Sequence, residues 1–247
     1  MKLPAGVGAP APDAAEALKQ ATAACRGIRT LTAEVAASGK VEAQRFRARL
    51  SVGVAAPASA RLEAVAPFGA PLFILAARDD DTTLLLPRDE RVLRHGRSAE
   101  VLAAVAGVPV SASDLHAMFT GCAPEIAQPD GRALGDDWRR ITGTAGEAFY
   151  LHRGGAGQPW QLVVAIRRRW RVEYRDLVNG LPRAMRITDA GGDDSPPGAL
   201  FDLTLAMSQV ETNVTLGPEV FTIDVPRTAQ PITLDELRNA RPGVRQN

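Results

Sequence analysis

Residues 45–77 read RFRARLSVGVAAPASARLEAVAPFGAPLFILAA, and their pattern decides the fold. Phe46, Leu50, Val52 and Val54 fall on one side of an extended chain, and Arg45, Arg47, Arg49 and Ser51 on the other. A period of two with one apolar and one polar side is the pattern of a strand in a sheet that is wet on one face. Two more strands follow at 61–66 and 72–77. Connections this short join antiparallel neighbours, because a parallel pair needs a long crossover.

The same period extends outward in both directions. Before the quoted stretch, Leu31, Ala33, Val35 and Ala37 alternate with Thr32, Glu34, Ala36 and Ser38, and Gly39-Lys40 signals a turn. After it come short strands at 82–86 and 91–95. Two segments, 98–106 and 111–120, break the pattern. Each begins with Ser, has an acidic residue early and carries apolar residues at helical spacing, so each reads as a short helix. Strands resume at 138–141, 148–152, 160–166, 170–175, 185–187 and 201–207. The apolar phase slips near Gln209 and Val210, which predicts a bulge there. A leading amphipathic helix is expected over 13–26, capped by Asp13, and a short terminal helix over 233–239.

Strands in close succession with helices inserted midway predict a mainly β (α+β) protein. Its core is a single strongly curved antiparallel sheet of about 11 strands, forming a half-barrel under a lid of about three helices. Residues 1–12 are expected to be a flexible spacer, because LPAGVGAPAP (3–12) cannot build a core. The half-barrel domain then spans 13–226, and 227–247 form a C-terminal extension.

Composition narrows function. With 29 basic against 28 acidic residues, the global field is too weak to steer the chain to nucleic acid. Only 5% of residues are aromatic, so Val, Leu and Ala fill the strands, an interior suited to hydrocarbon. No run approaches eighteen consecutive apolar residues. The amino terminus lacks the pattern of a signal peptide, and the chain is expected to be a mature domain whose export signal and anchor have been removed; the alternative is a cytoplasmic start with a loose tail. Cys25 and Cys122 are a disulfide candidate in an exported chain, or else two small buried hydrophobes.

The sequence offers little chemistry. His95, His116 and His152 lie on different elements with no partner at ligand spacing, so no metal is expected. Gly154, Gly155 and Gly157 are followed by no Lys-Ser/Thr pair, so no nucleotide site or cofactor is expected. Asp79 to Asp81, Asp136 and Asp137 read as solvated turn residues. The run Arg167, Arg168, Arg169 and Arg171 is the strongest charge cluster, either a solvated hairpin or a contact for acidic partners or lipid head groups. Phe68 sits between Pro67 and Gly69 in a stiff loop, either tucked into the core or exposed for a purpose.

Three stretches carry a resemblance. RLEAVAPFGAPLFILAA (61–77), VAGVPVSASDLHAMFTGCAPE (105–125) and RWRVEYRDLVNGLPRAMRIT (169–188) are similar in order and spacing to LolB, the outer-membrane lipoprotein receptor of the LolA/LolB lipoprotein-localisation superfamily. The resemblance implies an eleven-stranded half-barrel with a helical lid that holds lipoprotein acyl chains or phospholipid without catalysis. It implies a monomer at the periplasmic face of the outer membrane, lipid-anchored in its precursor and served by a periplasmic carrier protein. It also implies that Pro67, Phe68 and Gly69 form an exposed membrane-insertion loop. The cavity candidates are Phe46, Leu50, Val52, Trp170, Val172 and Tyr174. The chain departs from the family in having Phe at the loop tip, no amino-terminal cysteine and a longer tail, whose VFTIDVP is more like the ending of the carrier LolA and of sigma-factor regulators of the same fold. The alternative function is therefore an envelope-stress sensor that binds a regulatory protein.

Overall fold

A computed structural model describes residues 2–42, 44–65, 70–126, 129–167, 169–191 and 200–240. The chain opens with a two-residue strand, Ala9–Pro10 (β1), and two short helices, Ala14–Ala21 (α1) and Ala23–Arg26 (α2). A first meander follows: Thr30–Val41 (β2), Gln44–Ala55 (β3), Ser59–Val65 (β4), Ile74–Arg78 (β5), Asp81–Leu86 (β6) and Arg91–Gly96 (β7). Helices Ser98–Ala106 (α3) and Ala112–Thr120 (α4) cross to a second: Asp130–Ala133 (β8), Trp138–Thr142 (β9), Ala148–His152 (β10), Gln161–Ile166 (β11), Trp170–Val178 (β12), Leu181–Asp189 (β13) and Phe201–Thr212 (β14). A 3-10 turn at Pro218–Phe221, a strand Gln230–Pro231 (β15) and a helix Leu234–Ala240 (α5) complete the described chain.

The two meanders are fused side by side by the long antiparallel pair β14 and β2. The result is one open, curved sheet in the order β1-β8-β9-β10-β11-β12-β13-β14-β2-β3-β4-β5-β6-β7-β15. Among the described residues it has fifteen strands, not about eleven, and five α-helices rather than about three. The strands missed by sequence pattern are β1, β8 and β15, of two, four and two residues, too short to show alternation. They cap the two edges of the sheet, where unpaired backbone would invite association. The pairs β1 with β8 and β15 with β7 draw residues 9–10 and 230–231 into the sheet.

The leading helix divides because the Thr22 hydroxyl bonds back to the Leu18 carbonyl at 2.8 Å and the chain re-enters helix one residue later. Asp13 does not cap α1 with its side chain. Its carboxylate instead takes two donors from Arg139, at 2.9 and 3.0 Å. Ser111 does cap α4, accepting from the Asp114 backbone N–H at 3.1 Å. The terminal helix carries a capping box: Thr233 accepts from the Glu236 N–H, and the Glu236 carboxylate accepts from the Thr233 N–H.

Register settles which face is concave. Opposed residues of an antiparallel pair share a face. Val172 faces Ile187, Ile187 faces Leu203, Leu205 faces Ala37, and Val52 faces both Ala33 and Leu62, so one face is apolar from β12 across to β4. The helices pack on this face: α4 lies across β2, β3, β4 and β13, while α3 rests on β6 and against α5. On the outer face Arg45, Arg47 and Arg49 point to solvent. The carboxy-terminal segment also crosses that face, where Phe221 is buried and Arg61 donates to the Val220 and Thr222 carbonyls at 3.2 and 2.9 Å.

Candidate functional site

Between the concave face and the helices lies a cavity of about 80 Å³. Fifteen side chains line it and every one is Ala, Val, Leu, Ile, Met or Phe. The sheet supplies one wall with Ala37, Phe46, Leu50, Leu62, Leu203 and Leu205. The other wall is the cover: Leu102 and Ala106 of α3, Val108 and Val110 of the connection, and Leu115, Met118 and Phe119 of α4. No hydrogen-bonding side chain enters its lining, so it offers water no partner there.

The cover is held by three local devices. Gly107 ends α3 in the left-handed region, and a side chain there would strike Val41 of the β2–β3 hairpin, so only glycine lets the connection pass this close. The Ser98 hydroxyl accepts from the Ala112 N–H at 3.0 Å, tying the start of α3 to the start of α4. Just beyond α4, Cys122 is joined to Cys25 of α2 by a disulfide whose Cα atoms lie 5.6 Å apart. The cover is thus stapled at one end.

No family model matches the sequence, and no curated protein does. Solved structures do match. A LolA superfamily protein from Nitrosomonas europaea superposes with a TM-score of 0.54 at 13% identity, covering 88% of this chain and 99% of that one. A domain from Vibrio parahaemolyticus, named for outer membrane lipoprotein sorting, superposes with a TM-score of 0.52 at 13% identity, covering 85% of this chain and 96% of that one. The fold is LolA-like.

On this LolA-like frame the residues singled out by sequence separate into groups. Phe46 and Leu50 line the cavity, and both are only half-buried. Val52 is buried on the same face but lies outside the lining. Trp170, Val172 and Tyr174 are buried in the concave core under the second meander, and none of them reaches the apolar cavity. Burial pushes the Tyr174 phenol well above its ordinary range. Trp170 lines a different, polar pocket at the rim. Pro67, Phe68, Gly69 and Arg168 lie outside the described residues.

Sequence pattern marked 98–120 as a cover without naming its residues as cavity wall. The signal was present in the apolar spacing of Leu102, Ala106, Leu115, Met118 and Phe119. The titratable groups are dispersed. His95 contacts Asp81 at 3.2 Å on the exposed surface, His152 meets the Trp138 ring at 4.5 Å, and His116 lies on α4 with burial lowering its pKa. Among the described residues no three of His, Cys, Asp and Glu converge as a metal site.

Proposed function

We propose that the protein is a non-catalytic acyl-chain-binding protein of the bacterial cell envelope, which receives lipoproteins and inserts them in the outer membrane. The observation that carries this reading is the all-apolar cavity between the concave sheet and its helical cover. Each methylene moved from water into such a space gains about 0.8 kcal/mol. The Vibrio parahaemolyticus domain, with its lipoprotein-sorting name, adds support from the fold. The disulfide fits an oxidising compartment such as the periplasm.

The cavity volume adds a mechanical requirement. A void of roughly 150 Å³ holds one benzene. At about 80 Å³ the cavity as it stands is too small for a whole fatty acyl chain. The cover, α3 with α4, must therefore rise from the sheet on loading, pivoting where the disulfide holds it. In this account Phe46 and Leu50 meet the incoming chain, Val52, Trp170, Val172 and Tyr174 support the concave face, and the loop Pro67-Phe68-Gly69 contacts the membrane.

The test is saturable uptake of a fluorescent C16 acyl probe, with displacement by unlabelled lipopeptide. One site per chain is expected. A protein that takes up no probe and instead forms a stable complex with a regulatory protein would replace this reading with the sensor.

A further inference from the structure

The convex face of the sheet carries its charge unevenly. Register places Lys40 opposite Arg45, Ser38 opposite Arg47 and Ala36 opposite Arg49, so the lysine and the three arginines share one corner, at the β2–β3 hairpin. Farther along the same strands Glu34 and Glu63 both face Ser51. They line a pocket there with Glu211 and Arg61, and the carboxy-terminal segment crosses this acidic end at Val220. At the basic corner Lys40, Arg45, Arg47 and Arg49 are all exposed. A chain with 29 basic and 28 acidic residues thus presents a polarised face.

Other arginines on this face are neutralised, Arg171 and Arg175 by Glu173 at 2.8 and 3.4 Å and Arg186 by Asp202 at 2.6 Å. Among the described residues no carboxylate comes within ion-pair distance of Arg45, Arg47 or Arg49. Lys40 has Asp202 as its other cross-strand neighbour, but that carboxylate is already held by Arg186. Glu42 at the hairpin tip lines the rim with Arg169 and Asp189 instead. Like charges directly opposed, as Lys40 and Arg45 are, weaken a sheet, and a face that serves only solubility intersperses both signs. Beside the arginines the surface turns apolar. Val65 is the cross-strand neighbour of Arg49 and is 42% exposed, and Leu72, whose N–H bonds the Ala64 carbonyl, is 39% exposed.

We propose that this corner of the convex face docks on an anionic lipid bilayer, with Arg45, Arg47 and Arg49 meeting head-group phosphates and Val65 and Leu72 resting in the interface. The inference uses no property of the cavity. At about 3.4 Å per residue, Arg45 to Arg49 form a row about 14 Å long, which meets several phosphates of a surface at once where a small free anion would engage one arginine. Guanidinium groups suit phosphate oxygens. An acidic protein would satisfy the arginines and leave Val65 and Leu72 without a partner. A bilayer takes both, because its surface is charged and the layer beneath is apolar. The acidic end around Glu34, Glu63 and Glu211 is repelled by the same surface, so the field turns the hairpin toward the lipid.

The experiment is co-flotation of the full chain with vesicles. Phosphatidylcholine vesicles containing about 30 mol% phosphatidylglycerol should bind well and pure phosphatidylcholine vesicles poorly, and raising salt from about 0.05 M to about 0.5 M should remove the difference. Arg45→Gln, Arg47→Gln and Arg49→Gln should each weaken binding to the anionic vesicles about fivefold. Arg94→Gln removes the same charge from an exposed position on β7 and should leave binding within about twofold of the parent. Arg47→Lys should bind as the parent does, because a charged surface needs the charge more than the planar fork. Every one of these positions is exposed, so the variants should keep the parent's Tm. Equal binding to the two vesicle types, binding that ignores salt, or a loss from Arg94→Gln as large as that from Arg47→Gln would overturn the assignment. Retention on poly-glutamate without binding to the anionic vesicles would also overturn it and give the face to an acidic protein. Absence of acyl-probe uptake would overturn the cavity reading and leave this one standing.

Discussion

Leu115→Ala tests the relation between the cover and the cavity. Leu115 is on α4, 4% exposed, and it lines the void directly. Three carbons removed at roughly 0.8 kcal/mol each cost about 2.4 kcal/mol in transfer free energy. The space left behind joins a void into which the surroundings have not collapsed, so little relaxation offsets the loss. A total of about 3 to 4 kcal/mol is expected, inside the range for buried Leu→Ala changes. For a domain of this size that is a fall in Tm of roughly 6 to 16 °C. The assay is urea unfolding followed by circular dichroism, with and without the acyl probe. Because the variant has more apolar room, the probe at about one hundred times its Kd should restore about 2.7 kcal/mol. A loss below about 1 kcal/mol would refute the packing of α4 on the sheet. A full loss with no recovery by the probe would show that the void is not where chains bind.

Three further outcomes follow from the same structure. Replacing Cys25 and Cys122 together by Ser should destabilise the protein by at most about 4.7 kcal/mol, the loop-closure value for a loop near 100 residues, and the bonded pair is separated by 97; a denaturation midpoint equal to that of the parent would contradict it. Asp202 accepts two donors from Arg186 at 2.7 and 2.6 Å, which hold its carboxyl below the usual range. A depressed folded-state pKa gives stability that is present above the unfolded value and lost as pH falls through the folded one, so Asp202→Asn should flatten the acid limb of a stability–pH curve, by less than about 1 kcal/mol because both groups are partly exposed. An unchanged acid limb would remove the pair from the account. Phe68→Glu should leave folding and probe uptake intact and abolish transfer of cargo to liposomes; loss of folding would mark Phe68 as core, and unchanged transfer would end its role.

Much of this architecture is legible in sequence because one face of the sheet is buried and the other wet. The alternation of Phe46, Leu50 and Val52 with arginines has a single structural meaning, and the slip at Gln209 and Val210 appears as a register shift between Ser208 and Glu211, with Gln209 at positive φ. The bounds of α3 and α4 are readable because Ser98 opens the first helix, Ser111 caps the second, and Gly107 and Gly121 end them. What escaped has physical reasons. Strands of two to four residues carry no period, and backbone pairing rather than side-chain pattern creates them. The division of the leading helix depends on one hydroxyl turning back on its own backbone. Trp170, Val172 and Tyr174 share the concave face with the cavity residues, but alternation specifies a face and not a position along it. The cavity lies under α3 and α4, against β2, β3, β4, β13 and β14, and the tertiary path of the chain alone brings the cover there.

The most direct measurement is native mass spectrometry of the protein purified from a bacterial host, followed by extraction of whatever is bound. An acylated peptide or lipid in a one-to-one complex is expected, released when the chain unfolds. A protein that is empty as isolated and also takes up no C16 acyl probe would contradict it.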